Sequence, residues 1–467
     1  MKIYNTLSGK KDEFKPIKKS SGKKRVNIFV CGPTVYDYSH IGHARTYIVF
    51  DAIAKYLKFQ GYDVFYLQNI TDLDDKIIER ARQKGVSPAD LATAFTKEYL
   101  KDMKMLGITA VSKYARATDY IKEIINQVKR LLDKNLAYKI DGDGIYFNIA
   151  KFKDYGKLAG RTALQAEDSV SRIDYSRDKK NRGDFCLWKF CSDPEPHWPS
   201  PFGEGRPGWH IEDTAITEKF FGAQYDIHGA ARDLIFPHHE AEIAQMEALS
   251  GKSPMAKYWM HTGFLTVNGQ KMAKSLGNFI VLNDFLKRCP ANYLRFFILK
   301  NLWHSPVDYS ESVLIEVRAS VEKMEEFVKR IREQKGKTSP KTVTALMRSF
   351  EKDFYAELED NFNTPRAFAV LFEFMRGVNQ FLDSGDISKK QSGGIYKLFQ
   401  EINTVFGIID FKKINKPIPE AIKKLAKERE KLRESKEWQK SDEVRMQIEK
   451  KGYTVQDSEK GPVIRSI

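Results

Sequence analysis

Strand-like and helix-like hydrophobic patterns alternate near the start of the chain. The apolar run 26–30 is typical of a buried parallel strand. Helical periodicity follows from about 40 to 59, and a second apolar strand run spans 64–67. Strand, helix and strand in this order predict a βαβ unit, and residues 1–25 before it are predicted to be a loose lead-in.

The pattern is then interrupted and resumes. Residues from about 112 to 200 combine a helix, a short strand and a stretch rich in Gly, Asp and Lys, which indicates an insertion. The βα pattern returns at 225–228, and the chain is strongly helical from about 312 to 408. One long charged helix and a small hairpin are predicted to complete the tail. Glycine- or proline-rich linkers are predicted at 335–340, 392–394 and 416–419.

The charge balance favours a polyanionic partner. The chain has 467 residues, with 78 Lys and Arg against 62 Asp and Glu, a net charge of +16. Nucleic acid is the first such partner to consider. Four cysteines exclude a disulfide scaffold and fit a reducing compartment. The sequence has no apolar run of about 18 residues and no apolar signal core at its start, so we expect a cytoplasmic protein without a membrane span.

The first candidate for chemistry is His40-Ile41-Gly42-His43, at the predicted start of the helix after the first strand. A helix N-terminus has free N–H groups and a partial positive charge, so it attracts phosphate. His40 and His43 share one face of the turn, where both imidazoles could donate to phosphate oxygens. Gly42 lets a nucleobase or ribose approach the backbone. The alternative is two histidines on an ordinary surface turn.

A second candidate is Lys271-Met272-Ala273-Lys274-Ser275. Lys271 and Lys274, between flanking glycines, describe a flexible basic loop that could close over a triphosphate and neutralise the departing pyrophosphate. The alternative is a solvated lysine-rich turn. Together, the two motifs resemble the two signatures of class I aminoacyl-tRNA synthetases, although Ala273 stands where the usual second signature has a serine.

Four further segments narrow the resemblance to the cysteinyl-tRNA synthetase family. They are Cys31–Asp37, Asn69–Lys76, Gly205–Glu212 and Phe236–Glu242. The resemblance covers nearly the whole chain, including Asp184–Lys189, Asn363–Pro365 and the C-terminal tail. It implies ATP-dependent activation of L-cysteine to cysteinyl-adenylate, and transfer of the cysteinyl group to tRNA(Cys).

The resemblance also implies a role for each motif. The catalytic groups would be His40, His43, Lys271 and Lys274. The ATP-binding set would add Gly42 to these four, with Mg²⁺ accompanying ATP. The amino-acid pocket would contain Gly32, Thr71 and Trp209. The first step needs positioning and charge stabilisation more than a general base, because a carboxylate is already the nucleophile.

A metal site is predicted at the amino-acid pocket. His238 and Glu242 are four residues apart, so they share a helix face and could ligate one ion. Cys31 follows the first strand, at the edge where α/β sheets bind ligands. A metal that takes the substrate thiolate would distinguish cysteine from serine, because an un-ionised hydroxyl is a much poorer ligand. The alternative for His238 and Glu242 is an ordinary surface pair.

Asp213 departs from the family pattern. The resemblance implies one Zn²⁺ per chain, held at the positions of Cys31, Asp213, His238 and Glu242, and the family has a second cysteine at position 213. A carboxylate keeps the summed charge of the ligands and is a competent, though harder, zinc ligand. The alternative is that Asp213 bonds a neighbouring backbone N–H or lysine instead.

The tail has the composition of an RNA-binding segment. Residues 411–467 contain 16 Lys and Arg against 10 Asp and Glu, with Trp438 among them. A basic surface with an exposed aromatic suits single-stranded RNA. The resemblance implies a small anticodon-reading domain, and the alternative is a solvated charged helix anchored by Trp438.

We predict an α/β fold with a class I Rossmann-type core, an α-helical bundle and a small mixed C-terminal domain. The predicted segments are the first half of the core (1–111), a connective-peptide insertion (112–200), the second half of the core (201–262), a connecting segment with the basic loop (263–311), a tRNA-binding bundle (312–410) and the basic domain (411–467). The expected partners are tRNA(Cys), ATP and L-cysteine, and we expect a monomer. The alternatives are a cysteine ligase acting on an amino-sugar, a short nucleotidyltransferase and a non-catalytic RNA-binding relative.

Overall fold

The computed structural model of the protein describes residues 1–17, 24–160, 175–273, 276–457 and 461–466. Its strands are β1 (Lys2–Asn5), β2 (Lys10–Glu13), β3 (Arg25–Val30), β4 (Asp63–Ile70), β5 (Lys113–Arg116), β6 (Ala137–Ile140), β7 (Gly144–Phe147), β8 (Phe185–Phe190), β9 (Gly205–Pro207), β10 (Tyr225–Ala231), β11 (Ala256–Thr262), β12 (Leu265–Val267), β13 (Gln270–Lys271), β14 (Val307–Tyr309), β15 (Tyr453–Gln456) and β16 (Val463–Ser466). Its helices are α1 (Ile41–Phe59), α2 (Asp75–Lys84), α3 (Pro88–Met105), α4 (Ile121–Asp133), α5 (Ile211–Phe221), α6 (Glu240–Ser250), α7 (Leu282–Arg288), α8 (Ala291–Leu299), α9 (Glu311–Glu333), α10 (Lys341–Glu359), α11 (Thr364–Ser384), α12 (Lys389–Phe406), α13 (Phe411–Asn415), α14 (Glu420–Glu434) and α15 (Trp438–Lys450).

A five-stranded parallel sheet forms the centre of the first half, in the order β11-β10-β3-β4-β5. Ile28 in β3 is opposite Tyr66 in β4 and Ile227 in β10, and all three are fully buried. Burial on both faces explains the continuous apolar runs of these strands. The predicted βαβ unit is confirmed as β3, α1 and β4, and the predicted α/β class is confirmed with it.

A second, antiparallel sheet has the order β6-β7-β8-β9 and packs with α4 around its own core. It differs from the predicted insertion at both ends. β5 falls inside 112–200 but pairs with β4 in the parallel sheet, whereas β9 falls beyond residue 200 and pairs with β8. These memberships depend on pairing between distant segments, which local hydrophobic patterns do not encode.

Two local predictions were wrong. Within the predicted lead-in, Lys2–Asn5 and Lys10–Glu13 form the hairpin β1–β2, whereas residues 18–23 lie outside the described residues. The expected linker at 392–394 lies inside α12, where a Cβ on Gly394 would come 3.1 Å from Cε of Met347 in α10. Gly394 therefore permits close helix packing instead of breaking the helix.

The expected long helix of the tail is two helices, α14 and α15. They are separated near Lys436, whose φ is +61°. The two helices pack together around a small core that includes Ile422, Val444 and Ile448, and the predicted hairpin is confirmed as β15–β16. The linkers at 335–340 and 416–419 are confirmed between helices. Among the described helices, none is long and apolar enough to cross a membrane.

Candidate active site

Backbone hydrogen bonds hold the two candidate motifs side by side. The Ile41 N–H donates to the carbonyl of Ile280 at 3.1 Å, and the Leu282 N–H donates to the carbonyl of Ser39 at 2.8 Å. A Cβ on Gly42 would lie 3.0 Å from Cε of Met272. The segment after the basic loop is thus fastened to the start of α1, and the loop itself touches the first motif.

His40 and His43 use the start of α1 differently from the prediction. Nδ1 of His40 accepts the N–H groups of Gly42 and His43 at 3.1 and 3.3 Å, and Nδ1 of His43 lies 3.4 Å from the N–H of His40. The helix N–H groups expected to bind phosphate are therefore already engaged. Because both Nδ1 atoms accept, the ring protons are on Nε2. The motif can offer imidazole N–H groups to phosphate in place of backbone N–H groups.

Burial keeps His43 from charging. The rings of His40 and His43 stack with their centroids 3.7 Å apart. Burial, and then the neighbouring His40, lower the pKa of His43 well below its ordinary value. His43 is therefore a neutral hydrogen-bond donor at physiological pH.

Asn278 fastens the described part of the basic loop. Its Oδ1 accepts the N–H of Ala273 at 2.9 Å, and its Nδ2 donates to the carbonyl of Lys271 at 3.2 Å. Only the backbone of Ala273 takes part, so the hydroxyl missing at this position is not needed for the contact. Nζ of Lys271 lies 5.6 Å from the ring centroid of Phe264. The predicted site residue Lys274, with Ser275, lies outside the described residues.

One cavity of about 370 Å³ brings the predicted site residues together. Those lining it are Cys31, Gly32, His40, Gly42, His43, Thr71, Trp209, Asp213, His238 and Lys271. Glu242 lies behind His238 and is fully buried. The cavity is at the carboxyl edge of the parallel sheet, the usual place for ligands in α/β folds.

His238 contacts both acidic residues of the predicted metal site, Asp213 and Glu242, and also His210. Its Nε2 lies 3.0 Å from Oδ2 of Asp213 and 3.0 Å from Oε1 of Glu242. Its Nδ1 lies 2.9 Å from Nδ1 of His210, which orients the ring. Ligand atoms of Cys31, His238, Glu242 and also His239 lie within 4.8 Å of one another, and all four residues are buried.

The surroundings of the Glu242 carboxylate indicate whether this cluster is suited to a metal ion. Glu242 is 0% exposed, and within the described ranges neither of its oxygens accepts a well-oriented hydrogen bond. A buried carboxylate without such partners is costly unless a cation compensates it. Burial raises the pKa of Glu242 to about 7, against the opposing effect of His238.

The pKa shifts of His238 and Cys31 also indicate that the cluster contains more negative than positive charge. Burial opposes a charged imidazole, but Glu242 and Asp213 outweigh it and raise the pKa of His238 to about 10. Burial, and then the charges of Asp213 and Glu242, raise the pKa of the Cys31 thiol well above its ordinary value. A divalent cation would let these acidic groups ionise together. Sulfur, imidazole and carboxylate donors in one buried group are suited to Zn²⁺.

Polar neighbours hold Asp213 and the amino-acid pocket in place. Nδ2 of Asn69 donates to Oδ1 of Asp213, which leaves Oδ2 facing His238. The Thr71 hydroxyl donates to the Glu212 carboxylate, whose pKa burial and Asp213 raise well above its ordinary value. The Trp209 ring stacks on His238 with centroids 4.5 Å apart. Asp213 thus contacts the cluster rather than a lysine.

Sequence reasoning missed the histidines around Cys31. His228 and His239 are buried beside it and His261 is buried behind His239, although none was singled out as functional. A signal was present, because His228 and His261 lie on strands that become β10 and β11. All strands of a parallel sheet have their carboxyl ends at one edge, here the edge that carries Cys31.

Comparisons with known proteins agree with this geometry. A family model described as tRNA synthetases class I (C) catalytic domain matches residues 17–319, and a DALR domain model matches residues 353–410. The chain is 41% identical over 471 residues to the cysteine–tRNA ligase of Carboxydothermus hydrogenoformans, with 99% of each chain covered. It is 43% identical over 462 residues to that of Thermoplasma volcanium, with 98% of each chain covered.

Solved structures show the same fold at low sequence identity. The crystal structure of Mycobacterium tuberculosis methionyl-tRNA synthetase bound by methionyl-adenylate superimposes with a TM-score of 0.62 at 14% identity. The match covers 82% of this chain and 92% of that one.

Proposed function

Because the chain belongs to the family of cysteine–tRNA ligases, we propose that its cavity activates L-cysteine with ATP and transfers it to tRNA(Cys). The chain is a ligase that forms aminoacyl-tRNA. One observation carries the assignment of the site: both nucleotide motifs and the cluster around His238 line one cavity. We further propose that the enzyme is a cytoplasmic monomer and that Mg²⁺ accompanies ATP.

The first step joins the cysteine carboxylate to the α-phosphorus of ATP and releases pyrophosphate. The nucleophile is already ionised, so the residues must position the reactants and stabilise charge. Nε2–H groups of His40 and His43 donate to phosphate oxygens, and Lys271 and Lys274 stabilise the charge of the leaving pyrophosphate. The terminal ribose hydroxyl of tRNA then attacks the cysteinyl carbonyl, and AMP leaves.

The amino-acid end is formed by Gly32, Thr71 and Trp209, beside the metal cluster. Cys31, Asp213, His238 and Glu242 would hold Zn²⁺ there, and the buried, under-compensated Glu242 supports this assignment. When bound, the ion supplies a site that takes the substrate thiolate and discriminates against a hydroxyl. Two observations oppose the amino-sugar alternative. The chain has the basic tail, and its alignments with cysteine–tRNA ligases extend over nearly the full length of both proteins.

We expect only cysteine, among the twenty amino acids, to support ATP–pyrophosphate exchange, and we expect zinc removal to abolish that exchange. The reason is that the metal is the group proposed to bind the substrate thiolate. The measurement is exchange with each amino acid before and after chelation, with metal content determined on the same samples. Zinc-free enzyme that still activates cysteine and rejects serine would contradict the metal–thiolate assignment.

Variants at Asp213 test whether its carboxylate is one of the zinc ligands. Asp213→Cys should retain zinc more tightly, because it adds a second thiolate. Asp213→Ala should lose zinc, and Asp213→Asn should weaken binding while it keeps the side-chain shape. Equal zinc retention in all three variants would remove Asp213 from the ligand set.

We propose that the tail is the anticodon-reading domain. It has its own small core, and Trp438 is 54% exposed outside that core rather than anchoring it. The Arg433 guanidinium lies 5.2 Å from the Trp438 ring centroid, so a base could stack on an aromatic surface next to a cation. α13 belongs instead to the bundle, since Arg332 of α9 donates to the carbonyl of Ile414.

Deleting residues 416–467 is expected to leave cysteine activation intact and to weaken tRNA charging. The deletion begins after α13, so it removes the small core as a unit and spares the bundle. Binding of tRNA to the full chain should fall with added salt, because each phosphate contact releases counterions. Trp438→Ala in the full chain is the companion variant, expected to weaken charging without loss of folding. Equal charging by the truncated and complete proteins would show that the tail does not serve tRNA.

A further inference from the structure

Two buried imidazoles converge on the sulfur of Cys31. Its Sγ lies 3.3 Å from Nε2 of His228 and 3.3 Å from Nε2 of His239. Both rings are fully buried and pack against the indole of Trp259, with centroid separations of 4.2 and 5.2 Å. Packing therefore fixes the direction in which each Nε2 points.

The far nitrogen of each imidazole is also engaged. Nδ1 of His228 lies 2.7 Å from the hydroxyl of Tyr225. Nδ1 of His239 lies 2.8 Å from Nε2 of His261, whose Nδ1 lies 2.8 Å from Oγ1 of Thr6. Oε2 of Glu242, 3.7 Å from Nδ1 of His228, is too far for a hydrogen bond. Both chains of contacts thus end on hydroxyl groups, which can donate.

A thiolate at Cys31 would set the direction of every hydrogen bond in these chains. A metal-bound thiolate has no proton and can only accept, so Nε2 of His228 and of His239 must donate to it. A neutral imidazole has one N–H and one bare nitrogen. Tyr225 then donates to His228, and Thr6 donates to His261, which donates to His239. The whole arrangement is satisfied without a charged ring.

We propose that His228 and His239 are positioning residues that hold the Cys31 thiolate through two N–H···S hydrogen bonds, an inference that rests on the proposed metal-dependent function. Such bonds draw electron density from the sulfur and fix its orientation. Because Asp213 stands in place of the other cysteine, Cys31 is the single sulfur in the proposed ligand set. No second protein sulfur in that set would share its effect, so the electron density on the Cys31 sulfur would directly influence how strongly the ion binds the substrate thiolate.

Cobalt substitution can test this proposal, because the sulfur-to-cobalt charge-transfer band of the Co²⁺ protein would report Cys31 alone. His239→Leu should shift the band to longer wavelength, since loss of an N–H donor raises the energy of the sulfur electrons. It should also weaken Co²⁺ binding about 10–100-fold, the usual effect of losing an outer hydrogen bond to a ligand. His239→Gln, which keeps an N–H near the Nε2 position, should retain the wild-type band and affinity.

Tyr225→Phe and Thr6→Val remove the terminal donors without touching Cys31, so they test the proposal even if leucine at His239 impairs folding. Each should shift the band in the same direction by a smaller amount. An unshifted band in His239→Leu with cobalt fully bound would overturn the proposal. Loss of cobalt from both His239→Leu and His239→Gln would also overturn it, because His239 would then be a ligand. Wild-type protein that binds no Co²⁺ would instead contradict the proposed metal site, and this inference with it.

Discussion

Alanine at Lys271 is expected to slow ATP–pyrophosphate exchange by about 10²–10³-fold, the effect of removing one charge contact to a transition state. The same loss is expected for Lys274→Ala. Negative charge builds on the leaving pyrophosphate, and a cation held beside it costs no reorganisation as the bond breaks. Lys271 lies at the end of β13 and lines the same cavity as His40 and His43. Its ammonium is therefore placed to act on the nucleotide end of the site.

Measurements of cysteine binding and of a control variant distinguish a specific role of the two lysines in catalysis from a general loss of protein structure. Cysteine binding should be unchanged in both variants, because neither lysine belongs to the proposed amino-acid pocket or to the proposed metal ligands. Lys287→Ala is the matched control: Lys287 is exposed on α7 and pairs with Asp284, three residues before it, at 2.7 Å. It should exchange pyrophosphate at the wild-type rate. Unaltered exchange in Lys271→Ala and Lys274→Ala would exclude the two lysines from the reaction.

Replacing Asp51 by alanine is expected to destabilise the protein by about 3–5 kcal/mol, the cost of leaving a buried charge without its partner. Asp51 is fully buried in α1, and its Oδ2 lies 2.9 Å from Nη2 of Arg295 in α8 and 2.7 Å from Nζ of Lys55, one turn along α1. Its Oδ1 accepts the N–H groups of Thr109 and Ala110 at 3.0 Å each. Arg295 also donates to the carbonyl of Phe406 at 2.6 Å, so this one pair joins the parallel-sheet core to the end of α12.

Denaturant unfolding of three variants tests that expectation. Asp360→Ala removes an exposed pair with Lys11, whose side chains are 48% and 45% exposed, and should cost only about 0–1 kcal/mol. The double variant Asp51→Leu with Arg295→Met should recover part of the loss, because apolar side chains of similar volume often replace a buried ion pair. A double variant less stable than Asp51→Ala would contradict the assignment of the cost to an uncompensated charge.

Local sequence was sufficient for the central βαβ unit and for the chemistry of the motifs. Hydrophobic periodicity predicted β3, α1 and β4 because burial on one or both faces is imposed residue by residue along the chain. Spacing placed His238 and Glu242 on one helix face, and their side chains do meet at 3.0 Å. The kinds of residue in the two nucleotide motifs, and their resemblance to a known family, predicted the reaction.

Tertiary structure alone decided what surrounds the site residues. One local contact was also missed: Nδ1 of His40 accepts the helix N–H groups that were expected to bind phosphate, because the ring folds back on its own turn. The surroundings of Asp213 and the convergence of His228 and His239 on Cys31 depend on strand order, since β10 lies beside β3 although about 200 residues separate them in the sequence. Such neighbours follow from the pairing of distant segments and the packing of one core, and a pattern that repeats every two or four residues contains no information about either.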